Sequence, residues 1–308
     1  MAGPVWQGVD REVQALRAIF ERARLKGIAP LQVHRPRHVL LAVDSSSQDA
    51  MGIAVSQELR GRLKSEFSVV DAREGAVSGQ LATGAAAAVG GTVMPRSSGN
   101  SADQILAAVE QSGCDLLILP CPYGHPLESL GADSVGPVID ALLSHCGVPI
   151  LVLRMPFDGV GAMFEQVQML SATDSGAAPL AAAWAAGLVV PRGTFRLVLL
   201  FDREVRHRIQ ALIHSGVSDA NLDINMLAEA MVDDHVTLHR CLQKTASSGV
   251  FRYELDLRLD DAAGDIPLVA EHEHPLLVLP MDRSYHPSHP AILDRIRVCP
   301  SPVLVVAE

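Results

Sequence analysis

Histidines are the side chains whose spacing comes nearest to a pattern of metal ligands. His235 and His239 are four residues apart, so on a helix they would share one face, as zinc-binding pairs do. A zinc protease of the HExxH type needs a glutamate directly after the first histidine, and Val236 stands there instead. The other histidine pairs lie beside prolines: His272 and His274, and His286 and His289. The sequence therefore predicts no metal site.

The serines and cysteines give no pattern of a catalytic nucleophile. Ser144 and His145 are adjacent, and neighbouring residues on a helix point apart, so they do not form a dyad. The sequence contains neither a nucleophile elbow nor a P-loop. Its five cysteines are an odd number scattered through apolar stretches, which predicts reduced, buried thiols. We therefore expect no catalytic residues and interpret the protein as a non-enzyme.

The composition indicates a compact protein with enough chain for two domains. It has 308 residues, of which 48% are hydrophobic and 19% charged. The formal net charge of −10 argues against nucleic acid or an anionic membrane as a partner. No signal peptide is predicted, and the uncharged stretches 76–95 and 175–191 are broken by Gly or Pro. We expect a cytoplasmic protein.

A strand–loop–helix–strand unit in the middle of the sequence gives the clearest prediction of fold. The run DLLILP (115–120) is continuously apolar, as a strand buried on both faces would be. A loop with Gly124 and Gly131 leads to a helix that Ser134 can cap. The apolar stripe of this helix is Val135, Val138, Ile139, Leu142 and Leu143. With PILVL (149–153) as the second strand, the unit forms a right-handed crossover between parallel strands.

Altered copies of these motifs recur in the second half of the sequence. PLLVLP (275–280) matches DLLILP, and CPSPVLV (299–305) matches CGVPILV (146–152). Upstream, VLLAVDS (39–45) matches MLSATDS (169–175). Three matches in the same order indicate an internal duplication. The predicted organisation is an N-terminal helical extension (1–37), a first α/β domain (38–156) and a second, degenerate one (162–308).

Three local patterns add detail to this plan. The amphipathic stretch 10–26 predicts a helix that packs against the body of the protein. The Ala- and Gly-rich stretch 81–91 fits either a short helix or an irregular loop. Ser101 and Gln104 have the spacing of a capping box at the start of a helix.

The ordered set of motifs resembles the universal stress protein family, in a tandem arrangement. AVDS (42–45) is similar to the V-D-[GS]-S ending of the family's first strand, and DLLILP to a later strand. SVGPVIDALLSHCGVPILVL (134–153) is similar to the family's last helix and strand. The resemblance covers both halves of the chain. It implies two doubly wound parallel-sheet domains, Rossmann-like and adenine nucleotide alpha hydrolase-like, and a role in the stress response.

The resemblance also implies where a nucleotide would bind. Family members that bind ATP carry G-x2-G-x9-G-[ST] after the fourth strand, where glycine amides and a helix N-terminus can approach phosphates. At that spacing Pro120 and Tyr123 take the first two glycine positions, and Asp133 would put a carboxylate beside the phosphates. The implied site of the first domain consists of Asp44, Ser45, Gly124, Gly131 and Ser134.

The second domain is expected to have lost this site. Its loop from Met281 to Pro287 contains no glycine and is shorter than its counterpart. Asp174 takes the position that Asp44 has in the first domain. Both acids also fit helix caps at a strand-to-helix turn, and we favour that interpretation because neither phosphate loop is intact.

Two functions stay open at this point. The one we favour is a non-enzymatic stress-response or regulatory protein that needs no cofactor and acts through contacts with other proteins. The alternative is a switch that binds ATP or AMP in the first domain only. Hydrolysis of bound ATP is a more distant third.

The last strand of each domain predicts how the domains meet. PILVL and VLVV (303–306) are apolar and lack the lysines with which exposed sheet edges avoid pairing. Dimers in the family that the sequence resembles are thought to associate through this strand. We therefore expect Ile150–Leu153 and Val303–Val306 to run side by side. One chain would then form an internal pseudo-dimer with approximate twofold symmetry, and a further homodimer stays open.

Overall fold

A computed structural model describes residues 13, 14, 16, 17, 20, 28–75, 79–125, 134–154, 159–172, 176–201, 233–259, 274–283 and 288–308. The strands are β1 (His38–Val43), β2 (Glu66–Asp71), β3 (Thr92–Val93), β4 (Leu116–Pro120), β5 (Ile150–Leu153), β6 (Gln166–Ala172), β7 (Thr194–Phe201), β8 (Arg252–Leu259), β9 (Leu276–Met281) and β10 (Val303–Ala307). The helices are α1 (Gln48–Leu63), α2 (Gln80–Val89), α3 (Ser101–Ser112), α4 (Pro137–His145), α5 (Ala178–Leu188), α6 (Asp233–Ala246) and α7 (Ser288–Val298), with a 3₁₀ turn at Ala162–Phe164.

A single sheet joins the ten strands in the order β3-β2-β1-β4-β5-β10-β9-β6-β7-β8. The first five strands are parallel to one another, and so are the last five. The first group has the order β3-β2-β1-β4-β5, and the second has the order β8-β7-β6-β9-β10 when it is counted from the opposite edge of the sheet. The two orders are equivalent, because each strand of the second group takes the place of the strand five numbers lower in the first. The two groups meet where β5 and β10 pair antiparallel, with Leu151 opposite Leu304. The pairing of Ile150–Leu153 with Val303–Val306 is therefore confirmed.

Helices cover both faces of this sheet, so the α/β, doubly wound fold class is confirmed. Val39, Leu41 and Val43 of β1 belong to the core layer on one face of the sheet, to which α1, α2, α5 and α6 also contribute. The alternate residues Leu40 and Ala42 belong to the layer on the other face, to which α3, α4 and α7 contribute. Strands buried on both faces need apolar residues at every position, which explains the continuous apolar runs. The domain boundaries at 38–156 and 162–308 stay a prediction.

Two helix starts differ from the sequence prediction. The capping box of α3 is formed by Asn100 and Asp103, one residue before the predicted pair, because Asn100 accepts from the Asp103 amide at 3.0 Å. The Asp103 carboxylate accepts from the Asn100 amide in return. The predicted cap Ser134 does not cap α4, since this helix begins at Pro137 and Gly136 precedes it with a φ of 82°.

The structure also decides between the two alternatives that the sequence left open for the Ala- and Gly-rich stretch. It forms the regular helix α2. Proline occupies the first turn of α4, and Ile139, Leu142 and Leu143 are buried while Val138 is half-buried. Among the residues that the structure describes, no helix has both the length and the apolar composition needed to cross a bilayer.

The N-terminal extension packs against the second half of the chain. Leu16 and Phe20 are helical and buried, and the Phe20 carbonyl accepts a hydrogen bond of 2.8 Å from Arg240 of α6. Further along, the His34 amide donates to the Ala183 carbonyl of α5 at 3.0 Å. The segment passes so close to α5 that a Cβ on Gly187 would lie 1.6 Å from the His34 carbonyl oxygen. Glycine is therefore required at that position.

Truncation of Leu142 is expected to destabilise the fold. Leu142 is fully buried under the sheet, so Leu142→Ala should lower the free energy of unfolding by about 2–5 kcal/mol. Val138→Ala on the same helix is the control and should cost less, because Val138 is only half-buried. Chemical denaturation of both variants gives the comparison, and equal costs would mean that α4 does not present this face to the sheet.

Two glycine-to-alanine changes in helices should act in opposite directions. Gly187→Ala forces the His34 segment away from α5, so it should lower stability and speed exchange of the His34 amide. Gly84→Ala in α2 meets no atom within 4 Å and should raise stability by about 0.5–1 kcal/mol through helix propensity. Denaturation and amide hydrogen exchange measure both effects. Stabilisation by Gly187→Ala would rule out the close approach.

Candidate functional site

The candidate site lies at the carboxyl ends of the parallel strands in the first half. From β1 the chain adds β2 and β3 on one side and then β4 and β5 on the other, so the strand order reverses between β1 and β4. Open α/β sheets bind ligands in the crevice at such a reversal. Asp44 follows β1, and Tyr123 and Gly124 follow β4, so the predicted residues of both segments are at this crevice.

Asp44 joins the two segments directly. Its carboxylate is 4% exposed, and Oδ2 accepts a hydrogen bond of 2.6 Å from the amide of Gly124. The other oxygen, Oδ1, accepts from the Ser46 amide at 2.9 Å. Gly124 has a φ of 76°, which favours glycine at this turn. Asp44 and Gly124, two residues that the family resemblance places at a nucleotide, are thus hydrogen-bonded to each other.

Asp49 supports the turn that carries Asp44. Its two carboxylate oxygens accept hydrogen bonds from the amides of Asp44, at 3.0 Å, and Ser45, at 2.7 Å. Burial raises the pKa of Asp49 to about 6, and the charge of Asp44 adds to this rise while the two amide hydrogen bonds oppose it. The first helical turn of α1 therefore contains a carboxyl group that titrates near neutral pH.

Ser45 lies on the exposed side of the same turn. Its φ of 65° is left-handed, and its Oγ accepts a hydrogen bond of 2.8 Å from Arg73. Arg73 also binds both carboxylate oxygens of Asp71, at 2.9 and 2.8 Å. The Ser45 hydroxyl is thus tied to the end of β2.

Tyr123 fills the space between the ends of β1 and β2. Its side chain is 2% exposed, and the hydroxyl donates to the Val43 carbonyl at 2.9 Å. The same hydroxyl accepts from the Ala72 amide, also at 2.9 Å. Burial raises the pKa of this phenol well above its ordinary value, so it stays protonated. A large side chain therefore occupies a position where the family resemblance predicts glycine.

Ser134 takes part in a different set of contacts. Its Oγ accepts from the Gly136 amide at 3.2 Å, and its carbonyl accepts from the buried Arg154 at 2.7 Å. Arg154 is tied to the start of α1, because Gln48 donates to its carbonyl at 3.2 Å. Gly131, Asp133 and Asp174 lie outside the described residues. The structure thus joins Asp44, Ser45 and Gly124 in one hydrogen-bond network and places Ser134 in another.

The histidine pair of α6 is part of the core. His235 and His239 are 4% and 7% exposed, and His239 Nδ1 is 2.9 Å from the Tyr253 hydroxyl. Burial lowers the pKa of His239 to about 4. His239 also packs edge-on against Phe20 of the N-terminal helix. Within the described part of the chain, no three His, Cys, Asp or Glu side chains are grouped as metal ligands would be.

The cysteines are free thiols, as the sequence predicts, and four of them are buried. Burial raises the thiol pKa to about 11 for Cys114, Cys121 and Cys299. The prediction of burial is wrong for Cys241, which is partly exposed on α6. Thiols with so high a pKa are poor nucleophiles at neutral pH.

Sequence reasoning missed three residues of the site: Tyr123 as a filler of the crevice, Asp49 as the support of the Asp44 turn, and Arg73. Asp49 could have been noticed as an acid in the first turn of a helix, where its negative charge interacts favourably with the helix dipole. A tyrosine at an expected glycine position was a signal of an altered loop. Its two backbone partners could not be read from the sequence, because they lie 80 and 51 residues away.

Comparisons with solved structures identify the fold. No protein-family model and no curated protein matches the sequence. A universal stress protein from Archaeoglobus fulgidus superposes with a TM-score of 0.57 at 14% identity, covering 88% of this chain and 96% of that one. A functionally unknown protein from Pseudomonas aeruginosa PAO1 gives 0.57 at 15% identity, with 88% and 92% covered. A protein from Pseudomonas aeruginosa UCBPP-PA14, described as a universal stress protein, gives 0.55 at 15%, with 88% and 93% covered.

These likenesses extend over most of the chain and are too low in identity to carry function. They show that the protein has an α/β fold of the universal stress protein type. The resemblance predicted from AVDS (42–45), DLLILP (115–120) and the helix–strand ending at residue 153 is therefore confirmed at the level of fold.

The buried carboxyl of Asp49 predicts a pH dependence of stability. Its pKa in the folded protein is about 6, above the ordinary value of 3.8, so the folded state prefers the protonated form. The stabilisation is complete below pH 4 and is lost as the pH rises through 6, by on the order of 2 kcal/mol. Thermal unfolding of the wild type and of Asp49→Asn between pH 4 and 7 isolates this contribution. If the difference between the two proteins does not change with pH, Asp49 is already ionised at pH 4.

Proposed function

We propose that the protein is a regulatory protein of the stress response that performs no chemistry and acts through contacts with other proteins. The observation that carries this proposal is the 2.6 Å hydrogen bond between the Asp44 carboxylate and the Gly124 amide. It engages the Gly124 amide and one carboxylate oxygen of Asp44, two groups that the family resemblance places at a nucleotide, so the protein can hold this shape without a cofactor. The universal stress protein fold supports the role in stress.

The location and the kind of partner belong to the same proposal. A cytoplasmic location agrees with five cysteines that are free thiols. The net charge of −10 favours a protein as partner over nucleic acid or an anionic membrane. The two parallel half-sheets, joined through β5 and β10, form an internal pseudo-dimer in this interpretation, and a second chain is not required to pair with either strand.

A switch that binds ATP or AMP in the first half is the second candidate. It is favoured by the position of Asp44, Ser45 and Gly124 at the crevice where the strand order reverses. Binding would require the Asp44–Gly124 hydrogen bond to open, so that the amide could turn to a phosphate. Such a switch would have an empty, closed state and a liganded, open state.

Calorimetric titration of the purified protein with ATP, with and without magnesium, separates the two candidates. The main proposal expects no saturable heat up to about 1 mM nucleotide, where an intact phosphate site would be occupied. Saturable binding that Asp44→Ala abolishes, and that the exposed control Asp140→Ala preserves, would establish the switch instead.

The regulatory role is tested separately. Deletion of the gene should reduce survival under stress, and the wild-type gene should restore it. Equal survival of the deletion strain and its parent under starvation, heat and oxidative stress would contradict the proposed role.

A further inference from the structure

A cavity of about 810 Å³ opens at the amino ends of β1, β2 and β3, at the opposite end of these strands from the candidate site. Its walls include the last turns of α1 and α2. The charged residues of its lining are Arg60, Lys64 and Glu66, and His38 adds an imidazole. The volume is that of a small-molecule site, and the charged lining favours a hydrophilic ligand over an apolar one. We call it the amino-end cavity.

Arg60 is held in a fixed position at this cavity. Its Nη1 donates a hydrogen bond of 2.6 Å to the carbonyl of Val89, the last residue of α2. The guanidinium also lies directly against Gly90, because a Cβ at that position would be 1.6 Å from Nη1. A guanidinium has five N–H donors, and within the described part of the chain the Val89 carbonyl is the one acceptor that Arg60 contacts. Donors that are already oriented thus stay available to a ligand.

Lys64 brings a second positive charge to the same cavity. It is the C-cap residue of α1, and its side chain is exposed. Its Nζ lies 3.3 Å from the Gly61 carbonyl, which is a long contact for an ammonium group. Two cations therefore line one concave surface of a protein whose formal net charge is −10. Such a local concentration of positive charge attracts an anion.

The helix ends at the cavity do not cancel this attraction. The carbonyl end of a helix carries a partial negative charge, which repels an anion. At the end of α2 these carbonyls are engaged by side chains, because Gln57 donates to Ala88 at 3.0 Å and Arg60 donates to Val89. An anion in the cavity would therefore be held by side chains and not by the backbone.

Glu66 and His38 restrict which anion fits. Glu66 begins β2, and its exposed carboxylate can only accept hydrogen bonds. His38 Nε2 lies 2.9 Å from the Ser68 hydroxyl, which leaves Nδ1 to a ligand. A carboxylate close to two cations favours a ligand with an anionic group at one end and hydrogen-bond donors at the other, and it repels a second anionic group.

We propose that the amino-end cavity binds a phosphate monoester of a small polyol, with the phosphate on Arg60 and Lys64 and the hydroxyl groups on Glu66. A guanidinium can bind phosphate through two parallel hydrogen bonds, and an ammonium adds a point charge. A phosphate monoester carries about two negative charges at neutral pH, which match the two cations. The site goes beyond the proposed function, because it gives a regulatory protein that needs no cofactor a signal to detect.

Calorimetric titration with glucose 6-phosphate tests the site. The wild type should bind this probe with a dissociation constant of about 1 mM or less, inorganic phosphate more weakly, and glucose not at all. Arg60→Gln and Lys64→Gln should each weaken binding at least about tenfold, because each removes a charge-assisted hydrogen bond. Arg252→Gln is the matched control. It removes an exposed cation from β8, at the opposite edge of the sheet, and should bind the probe as the wild type does.

Glu66→Gln tests the second half of the proposal. The change removes a negative charge near the phosphate, so this variant should bind inorganic phosphate more tightly than the wild type. It should also reduce the preference for glucose 6-phosphate over inorganic phosphate, because an amide oxygen accepts from a hydroxyl group more weakly than a carboxylate does. An unchanged preference, or equal affinity of the wild type for the two probes, would remove Glu66 and the polyol from the proposal.

Weaker binding in Arg60→Gln and Lys64→Gln, and not in Arg252→Gln, supports the site. It is overturned if the wild type shows no saturable heat with glucose 6-phosphate up to about 10 mM, or if Lys64→Gln binds it as the wild type does. Equal loss in Arg252→Gln also overturns it, since that marks a general effect of charge. If Arg60→Gln does not fold, Lys64→Gln decides alone, because its side chain is exposed. These titrations use neither ATP nor a deletion strain, so their failure is distinct from failure of the proposed function.

Discussion

The antiparallel pairing of β5 with β10 is the interaction on which the arrangement of the molecule depends. Each parallel half-sheet would otherwise end in an apolar edge with unpaired backbone groups, a surface that promotes association. With Leu151 opposite Leu304, each edge satisfies the other, and the ten strands become one sheet. Both strands are buried on both faces, so their apolar residues serve the core and the junction at once.

The same principle of internal satisfaction describes the candidate site. At the carboxyl ends of β1, β2 and β4, polar groups that could bind a ligand are hydrogen-bonded to one another. The pairs are Asp44 with Gly124, Arg73 with Asp71 and Ser45, and Tyr123 with the two strand ends. The fold thus keeps the architecture of a ligand-binding α/β domain while its crevice is filled. This filled crevice is the basis of our proposal that the protein acts through contacts with other proteins.

The sequence predicted the sheet well because burial on both faces leaves a direct record in composition. Continuous apolar runs such as DLLILP (115–120) and PILVL (149–153) identified central strands. The lack of lysine at two edges, together with the strand through which dimers of the resembled family are thought to associate, predicted their pairing. Helix starts were less certain, because several neighbouring polar residues could each occupy the N-cap position. At α3 the N-cap residue is Asn100 and not Ser101. The interior of the site was beyond prediction, since the Tyr123 contacts depend on which distant backbone groups meet.

The position of β10 also bears on how the chain is made. Its first residue, Val303, comes 150 residues after Leu153, the last residue of β5. During translation the first half-sheet can be complete while the strand that closes its edge has still to be synthesised. Over that interval β5 is an apolar edge strand without a partner on one side, and neighbouring nascent chains on one messenger RNA present the same edge to each other. The nascent first half therefore exposes a sheet edge that β10 covers in the finished protein.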